Sequence, residues 1–314
     1  MRGFVLKIAV LCGGVSGERE VSLKSGAAVC AGLREAGYET VTVDVPSVSG
    51  LIEDWPSIGA DVAFIALHGG WGEDGRLQAA LGARGIPYTG SGALSCMMCM
   101  DKESGRNIME SGHIPVPPGI AIRPSDKIDF RPMIDNWGKI VVKPASNGST
   151  IGIVITDDAA EAERALDAVW DIDTKAIAEK FIPGRELTVA VFGTGDDAFA
   201  MPIIEIRPHS GFYDYKSKYT KGETEYLCPA PIDETATRAV SEYARRAHIL
   251  LGCRTYSRVD LRFDGTDGGI FIMEANTAPG MTETSLVPKA AAAYGWTFPQ
   301  LMDNILKDAS NENS

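Results

Sequence analysis

The chain has 314 residues, of which 45% are hydrophobic and 23% charged, and its formal net charge is −12 at pH 7. This balance is typical of a folded protein with two or three domains. The acidic charge argues against binding to nucleic acid or to an anionic membrane surface, because both require basic patches. No apolar run reaches the length of about 18 residues that a membrane-spanning helix needs.

The six cysteines and the first residues predict a cytoplasmic location. The cysteine spacing suggests no disulfide framework, as expected in a reducing compartment. Residues 1–11 lack a cleavage-site pattern and predict a buried first strand rather than a signal peptide. Cys96 and Cys99 form a lone CxxC, which favours small core-facing thiols but leaves a zinc or redox role open.

Residues 1–100 predict a parallel β-sheet covered by helices, because apolar strands alternate with helical segments. Ser22 is a candidate N-cap for the first helix. The glycine turn after the first strand is not GxGxxG, so a dinucleotide site is disfavoured. Its position at the carboxyl end of a strand still favours contact with a ligand. The predicted strands lie at 5–11, 41–45 and 62–67.

Two polar side chains of this segment could bind a ligand. Glu18 precedes a helix start, where it is either an acid that stabilises the helix dipole or an anchor for a substrate ammonium. His68 ends the third strand and is followed by two glycines, at the sheet edge where such folds bind ligands. The residues alone leave both alternatives open.

Residues 101–183 predict a second unit that binds phosphate. An apolar strand at 140–144 contains Lys143 and leads into a small polar loop with a glycine, before the sheet resumes at 151–155. This order is typical of a flap that closes over phosphates through backbone N–H groups, although it is not a Walker A motif. Lys102 and Lys143 are candidate phosphate ligands. The alternative is a solvated surface lysine, which the buried strand makes less attractive for Lys143.

Residues 184–314 predict a third unit with a lid. The segment 207–231 shows no strong periodicity, and a connection this long in a compact domain is usually functional. Its tyrosines and lysines suit closure over an anionic reactant. Apolar periodicity predicts helices at about 233–251 and 290–306.

Residues 256–276 predict an antiparallel hairpin with an oxygen-rich face. Arg258 and Asp260 alternate with apolar residues on the first strand, and Glu274 and Asn276 lie two apart on the second. Pairing across the turn would bring Asp260 close to Glu274. Carboxylates on one face repel unless a cation neutralises them, and oxygen ligands suit Mg²⁺. The alternative is a solvated hairpin with ordinary surface acids.

These pieces together indicate chemistry on a nucleoside triphosphate. Phosphoryl transfer needs a divalent cation that bridges phosphates, basic side chains that absorb charge, and a lid that excludes water. Arg258 lies on the same strand face as Asp260, so it could stabilise a developing oxyanion beside the metal.

Ten short motifs are spread over nearly the whole chain: Gly13-Gly14, Glu18-Arg19-Glu20-Val21-Ser22, Ala66-Leu67-His68-Gly69, Glu73-Asp74-Gly75, Tyr88-Thr89-Gly90-Ser91-Gly92, Met100-Asp101-Lys102, Val142-Lys143-Pro144, Phe212-Tyr213-Asp214-Tyr215, Glu274-Ala275-Asn276-Thr277 and Pro279-Gly280-Met281-Thr282. In these motifs and in their order the chain resembles the D-alanine–D-alanine ligase family of the ATP-grasp superfamily. The resemblance implies a three-domain α/β (α+β) ATP-grasp fold with an N-terminal parallel-sheet domain, and boundaries at 1–100, 101–183 and 184–314. ATP would lie between the second and third domains.

The resemblance also implies the ligands of the nucleotide and of the metal. Two Mg²⁺ ions, or Mn²⁺ in their place, would be bound by Asp260, Glu274 and Asn276. The phosphates would contact Lys102 and Lys143. The adenine and ribose would contact Glu179, Lys180, Ile182 and Glu186.

Substrate and catalytic roles follow from the same resemblance. Glu18 would receive the ammonium of a first D-alanine with support from His68, and Ser285 with Leu286 would bind the second D-alanine. Arg258 and the Gly280 backbone N–H would form an oxyanion hole. In the lid, Ser149 and Tyr219 would tie the closed loop to Glu18, and Lys218 would reach the transferring phosphate.

The implied reaction is ATP-dependent ligation of two D-alanines through an acyl phosphate, for peptidoglycan synthesis by a cytoplasmic homodimer. The Lys218-Tyr219 pair favours D-alanine over D-lactate as the second substrate. One alternative is a ligase for another amino or hydroxy acid pair. Another alternative is a nucleotide-binding regulator without catalytic activity. The presence of every candidate phosphate, oxyanion and metal residue argues against it: Lys102, Lys143, Arg258, Asp260, Glu274 and Asn276.

Overall fold

The computed structural model describes residues 6–146, 152–209, 220, 222–264 and 269–311. Its first part is built on a three-stranded parallel sheet with the strand order β2-β1-β3. The elements are β1 Lys7–Cys12, α1 Arg19–Glu35, β2 Glu39–Asp44, α2 Val48–Ile58, β3 Val62–Ile65, α3 Arg76–Ala83 and α4 Ala93–Met100.

A second, antiparallel sheet has the order β4-β7-β5-β6. Helix α7 packs its alanines, with Leu166 and Val169, against this sheet. The elements are α5 Lys102–Ser111, β4 Gly119–Ile122, α6 Arg131–Trp137, β5 Ile140–Pro144, β6 Val154–Thr156, α7 Ala159–Val169 and β7 Ala176–Lys180.

The third sheet is antiparallel, with the order β11-β10-β8-β12-β13 and β9 paired to β8. Helix α8 covers one face of it. The elements are β8 Arg185–Phe192, β9 Phe199–Ala200, β10 Ile204–Pro208, β11 Thr224–Leu227, α8 Glu234–Leu250, β12 Tyr256–Asp264, β13 Gly269–Asn276, α9 Leu286–Tyr294 and α10 Phe298–Asn311.

A parallel sheet followed by two antiparallel sheets confirms the predicted α/β (α+β) class. The last helix, α10, packs on α1 beside the first sheet: Phe298 and Met302 lie against Gly32 of α1, and the Tyr38 hydroxyl donates to Asp303 at 2.6 Å. The core of the first sheet therefore includes residues from both ends of the chain. The domain boundaries stay a prediction.

Three local predictions were wrong. Helix α1 begins at Arg19, so Ser22 is not its N-cap; the Ser22 hydroxyl instead donates to the Ala66 carbonyl at 2.7 Å. The helix predicted at 290–306 is two helices, because Gly295 has a φ of 103° and ends the first. The segment 207–231 is not loop throughout, since β11 pairs with β10 inside it.

All six cysteines are free thiols, as their spacing predicts. Cys96 is buried in the core, whereas Cys99 is half-buried and its sulfur lies 3.7 Å from the sulfur of Cys253. Among the residues that the structure describes, no helix is long and apolar enough to cross a membrane.

Candidate active site

The predicted hairpin forms and places its acids opposite each other. In the pairing of β12 with β13, Asp260 faces Glu274 and Arg258 faces Asn276. Directly opposed residues of an antiparallel pair project to the same side of the sheet, so all four side chains share one face. A register shift just after Asp260 marks a β-bulge, a feature that re-aims side chains near active sites.

The Asp260 carboxylate is held from two sides. Arg258 donates to it through Nε at 2.9 Å and Nη2 at 2.6 Å, and the Thr188 hydroxyl of the neighbouring strand β8 donates at 2.6 Å. Arg258 is thus oriented along the oxygen-rich face by a two-bond fork. The alternation that predicted this arrangement is confirmed, because Val259 and Leu261 between the polar residues are fully buried.

The donor set of this face fits a hard divalent cation. In the part of the chain that the structure describes, no three His, Cys, Asp or Glu side chains are grouped so that they could hold a metal ion. Here two carboxylates are joined by the Asn276 amide, whose oxygen also accepts from the Ala278 N–H at 2.9 Å. Lys102 Nζ lies 3.4 Å from Glu274 Oε2, as expected where negative charge accumulates. Oxygen donors of this kind are what Mg²⁺ and Mn²⁺ prefer.

The second candidate phosphate lysine lies in a buried ion cluster. Lys143 on β5 donates to Glu179 Oε1 at 2.5 Å, and Arg106 on α5 donates to the other oxygen at 2.9 Å. All three residues are buried. The sequence analysis missed Arg106, which lies one helical turn after Lys102 on the same helix.

The remaining nucleotide candidates lie along the connection from β7 to β8. Lys180 ends β7, and the Ile182 carbonyl accepts from Arg262 Nε at 3.1 Å. Glu186 faces Arg262 across the pairing of β8 with β12 and lies 3.4 Å from its guanidinium. Arg262 of β12, to which the sequence analysis assigned no role, therefore connects this segment to the hairpin.

The structure brings Glu18 and His68 to the same edge of the first sheet. Glu18 is the residue before α1, and its Oε2 lies 3.0 Å from where a Cβ on Gly69 would be. Ser16 joins the two loops, since its hydroxyl donates to the His68 carbonyl at 2.6 Å. A pocket of about 190 Å³ opens here between the Gly13-Gly14 turn and the loop after β3.

The glycine turn is fixed by an ion pair. Arg19 donates two hydrogen bonds to the Asp44 carboxylate, from Nη1 at 2.8 Å and from Nη2 at 2.6 Å. These hydrogen bonds lower the pKa of Asp44 to about 2. The Gly14 N–H donates to the same carboxylate at 3.1 Å. Gly13 has a φ of 75°, and a Cβ there would lie 2.3 Å from the Asp44 carboxylate, so only glycine fits.

His68 connects the first sheet to the loop that follows the hairpin. Its Nδ1 lies 3.1 Å from the Ala278 carbonyl, which can only accept, so Nδ1 carries the proton. Its Nε2 lies 2.8 Å from the Ser25 hydroxyl, and Ser25 also accepts from the Met281 N–H at 3.4 Å. His68 is buried, so its ring is a fixed support at this edge.

Gly280 and Ser285 are in contact. A Cβ on Gly280 would lie 2.8 Å from the Ser285 hydroxyl oxygen. That oxygen accepts from the Thr282 N–H at 3.0 Å and lies 2.8 Å from the Thr282 hydroxyl. Ser285 is the N-cap residue of α9, and Leu286, its first helical residue, is buried in the core. A helix N-terminus favours a carboxylate.

Three predicted residues, Ser149, Lys218 and Tyr219, lie outside the described residues. Ser25 and Thr282 are polar contacts of the site that the sequence analysis missed. No periodicity signals Ser25, because it meets His68 across 43 positions of the chain. Thr282 did carry a signal, since it stands inside the quoted Pro279–Thr282 motif.

Comparisons with known proteins point to one family over most of the chain. The family described as D-ala D-ala ligase C-terminus matches residues 113–307, and D-ala D-ala ligase N-terminus matches residues 52–91. The D-alanine–D-alanine ligase of Syntrophotalea carbinolica is 44% identical over 309 residues, which cover 97% of this chain and 96% of that protein. The enzyme of Desulforudis audaxviator is 43% identical, over 96% of this chain and 98% of that one.

Solved structures show the same similarity in three dimensions. The D-alanine–D-alanine ligase of Bacillus anthracis complexed with ATP has a TM-score of 0.86 at 33% identity, and 98% of each chain is covered. The ligase of Coxiella burnetii has a TM-score of 0.82 at 26% identity, over 98% of this chain and 96% of that one. The chain belongs to the D-alanine–D-alanine ligase family.

Proposed function

We propose that the protein joins two molecules of D-alanine with ATP, giving D-alanyl-D-alanine, ADP and phosphate for peptidoglycan synthesis. The observation that carries this proposal is the hairpin face on which Asp260 opposes Glu274 beside Arg258, with Lys102 at its edge. The family relationship and the likeness to an ATP-bound ligase support the same reaction.

The nucleotide is proposed to lie between the second and third sheets. Lys102 and Lys143 would contact its phosphates, and the connection from Glu179 to Glu186 would hold adenine and ribose. Asp260, Glu274 and Asn276 would hold two Mg²⁺ ions, which supply electrostatic stabilisation of the phosphate oxygens. The lysines add to that stabilisation because they are nearly buried, where charge is poorly screened.

The first step forms an acyl phosphate. A carboxylate oxygen of the first D-alanine attacks the γ-phosphorus, a new P–O bond forms, and the bond to ADP breaks. Glu18 would bind the ammonium of this D-alanine, and the fixed ring of His68 would shape the site around it. Both residues lie at the carboxyl edge of the first sheet, and His68 contacts the loop that carries Gly280 through the Ala278 carbonyl.

The second step forms the peptide bond. The amine of the second D-alanine attacks the carbonyl carbon, and the C–O bond to phosphate breaks. Arg258 and the Gly280 N–H would stabilise the oxyanion that develops on the carbonyl oxygen. Ser285, at the N-terminus of α9, would bind the carboxylate of the incoming D-alanine. Ser149, Lys218 and Tyr219 are proposed to close the lid over the acyl phosphate, which water would hydrolyse.

Phosphate release from ATP and Mg²⁺ tests the proposal, with D-alanine, L-alanine, or D-alanine plus D-lactate as substrates and products identified by mass. We expect phosphate release only with D-alanine present, matched by the dipeptide. Phosphate without dipeptide would mean that the second substrate is misassigned. No phosphate release with any substrate would refute the ligase assignment.

We also propose a cytoplasmic homodimer of three-domain subunits, with boundaries at 1–100, 101–183 and 184–314. The family relationship supports this arrangement. Sedimentation equilibrium checks the dimer, since a single species of 33.5 kDa would exclude it at the concentrations used. Limited proteolysis with mass mapping checks the boundaries, because cleavage should concentrate between the proposed domains.

A further inference from the structure

The buried cluster of Arg106, Lys143 and Glu179 carries more positive than negative charge. Two cations share one carboxylate, each on a different oxygen, at 2.9 and 2.5 Å. Arg106 is also 3.6 Å from Glu110, one turn further along α5, but the Glu110 side chain is 51% exposed and solvent screens it. The three buried groups therefore leave a net charge of about +1 away from water.

A buried net charge is unfavourable unless an ion of opposite sign compensates it. The site therefore requires an anion next to the cluster, and Lys143 is the member that the sequence predicts to face a phosphate. Glu179 alone would neutralise the Lys143 ammonium and weaken its attraction for that phosphate. Arg106 offsets the carboxylate, so that Lys143 keeps its charge for the ligand.

We infer that Arg106 is a positioning residue for nucleotide binding, which holds the Glu179 carboxylate so that Lys143 retains a net positive charge for a phosphate. This inference rests on the proposed binding of ATP at Lys143. Arg106 does not itself touch the nucleotide in this scheme; it acts through Glu179.

The surrounding backbone is shaped to hold Arg106 against Glu179. Gly119 of β4 faces Glu179 in the pairing of β4 with β7. A Cβ on Gly119 would lie 2.6 Å from the Glu179 Cβ and 2.8 Å from Arg106 Nη1, so a side chain there would collide with the ion pair. The glycine leaves room for the guanidinium to reach the carboxylate.

The same helix links both phosphate lysines. Helix α5 begins at Lys102, whose N–H donates to the Ala145 carbonyl at 2.9 Å, just after β5 ends. Arg106 then reaches Glu179, the partner of Lys143, from the next turn of that helix. A shift of α5 would therefore move Lys102 and disturb Lys143 together.

Four substitutions separate a charge effect from a simple packing effect. Arg106→Gln removes the charge but keeps an amide that can donate to Glu179. Arg106→Lys keeps the positive charge but replaces the guanidinium, which donates to Glu179 through Nη1, with an ammonium. Glu179→Gln is made alone and together with Arg106→Gln, and the double variant leaves Lys143 as the only ion of the three. Arg131→Met, at an exposed arginine paired with Asp129 in the same part of the chain, is the control.

The primary measurement is the dissociation constant of ATP by calorimetry with Mg²⁺ and without D-alanine, so that no turnover is needed. We expect Arg106→Gln to raise it about tenfold, the scale of one lost charge-assisted interaction, while Arg106→Lys and the control stay close to wild type. Arg106→Gln should weaken ATP binding less when Glu179→Gln is already present, and this comparison cancels any effect of Glu179→Gln on the contact with adenine. In turnover, KM for ATP should rise more than kcat falls.

An equal loss of ATP affinity from Arg106→Gln in the wild-type and Glu179→Gln backgrounds would overturn the inference, because charge balance predicts a smaller loss without the carboxylate and a packing role does not. Should Arg106→Gln fail to fold, a tenfold loss of affinity in the charge-retaining Arg106→Lys would equally overturn it, whereas wild-type affinity there supports it. Wild-type protein that binds ATP but makes no dipeptide would refute the proposed ligation and leave this inference standing. Wild-type protein that binds no ATP would overturn the inference itself.

Discussion

Lowering the pH should destabilise the third sheet, because it protonates one buried histidine, His248. It lies near the end of α8 with no exposed surface, its Nε2 3.1 Å from the Gly193 carbonyl and its Nδ1 2.7 Å from the Ser257 hydroxyl. Burial lowers the pKa of His248 from 6.5 to about 4, against the smaller opposing effect of the Gly193 hydrogen bond. Ser257 directly precedes Arg258, so the strand that carries the candidate active site depends on this contact.

The direction of the effect follows from proton uptake. The unfolded chain protonates this imidazole near its ordinary pKa, and the folded chain only near the lowered one. Between those values the unfolded state binds more protons, so the free energy of unfolding falls as the pH falls. The contribution of neutral His248 to the free energy of unfolding is complete above the pKa that His248 has in the unfolded chain. This free energy falls by about 2 kcal/mol near pH 5, and by about 3 kcal/mol below the pKa that His248 has in the folded chain.

Urea unfolding at neutral pH and near pH 5, in wild type and in His248→Gln, measures this contribution. Glutamine can donate to the Gly193 carbonyl and accept from Ser257, and the other titrating groups are common to both proteins. Between the two pH values, wild type should lose about 2 kcal/mol more than the variant. His209→Gln, at an exposed histidine, is the matched control for removing an imidazole. Equal losses in wild type and His248→Gln would refute the claim that burial keeps His248 neutral.

The candidate active site yields three further predictions. Asp260→Asn keeps an oxygen for Thr188 but removes a metal-binding charge, so kcat for phosphate release should fall at least about a hundredfold; near-normal turnover would contradict its role. Gly280→Ala would place a Cβ 2.8 Å from the Ser285 hydroxyl oxygen, so KM for the second D-alanine should rise severalfold. An unchanged KM would show that Ser285 does not bind that substrate. A chelator should abolish dipeptide formation and Mg²⁺ or Mn²⁺ restore it; activity that persists in chelator would exclude the metal site.

The hairpin could be predicted from sequence because its determinants are local. Alternation fixed which side chains share a face, and the glycine-rich stretch between the strands predicted the turn. The opposition of Asp260 and Glu274 followed from these two facts alone. The bulge after Asp260 could not be predicted, since it depends on how β13 meets its neighbour in three dimensions.

Local signals failed where tertiary contacts outweighed them. Ser22 has the right chemistry for an N-cap, yet its hydroxyl is used by the Gly13 N–H and the Ala66 carbonyl. The contacts of His68 join it to Ser25 and to Ala278, 43 and 210 positions away, and nothing in the sequence pairs these residues. The break at Gly295 was visible in the sequence, because glycine commonly ends a helix.

The acidic composition and the proposed phosphate site are compatible because charges act at short range in salt. The net charge of −12 belongs to the whole chain, and exposed carboxylates are screened beyond about 8 Å at physiological ionic strength. The net charge of the cluster that contains Lys143 is buried, where screening is weak and Coulomb interactions are stronger. Composition could therefore exclude nucleic acid, whose binding needs an extended basic surface, but it could not exclude one nucleotide. The buried positive charge of Arg106 and Lys143 beside Glu179 is what we propose that the phosphates of such a nucleotide meet.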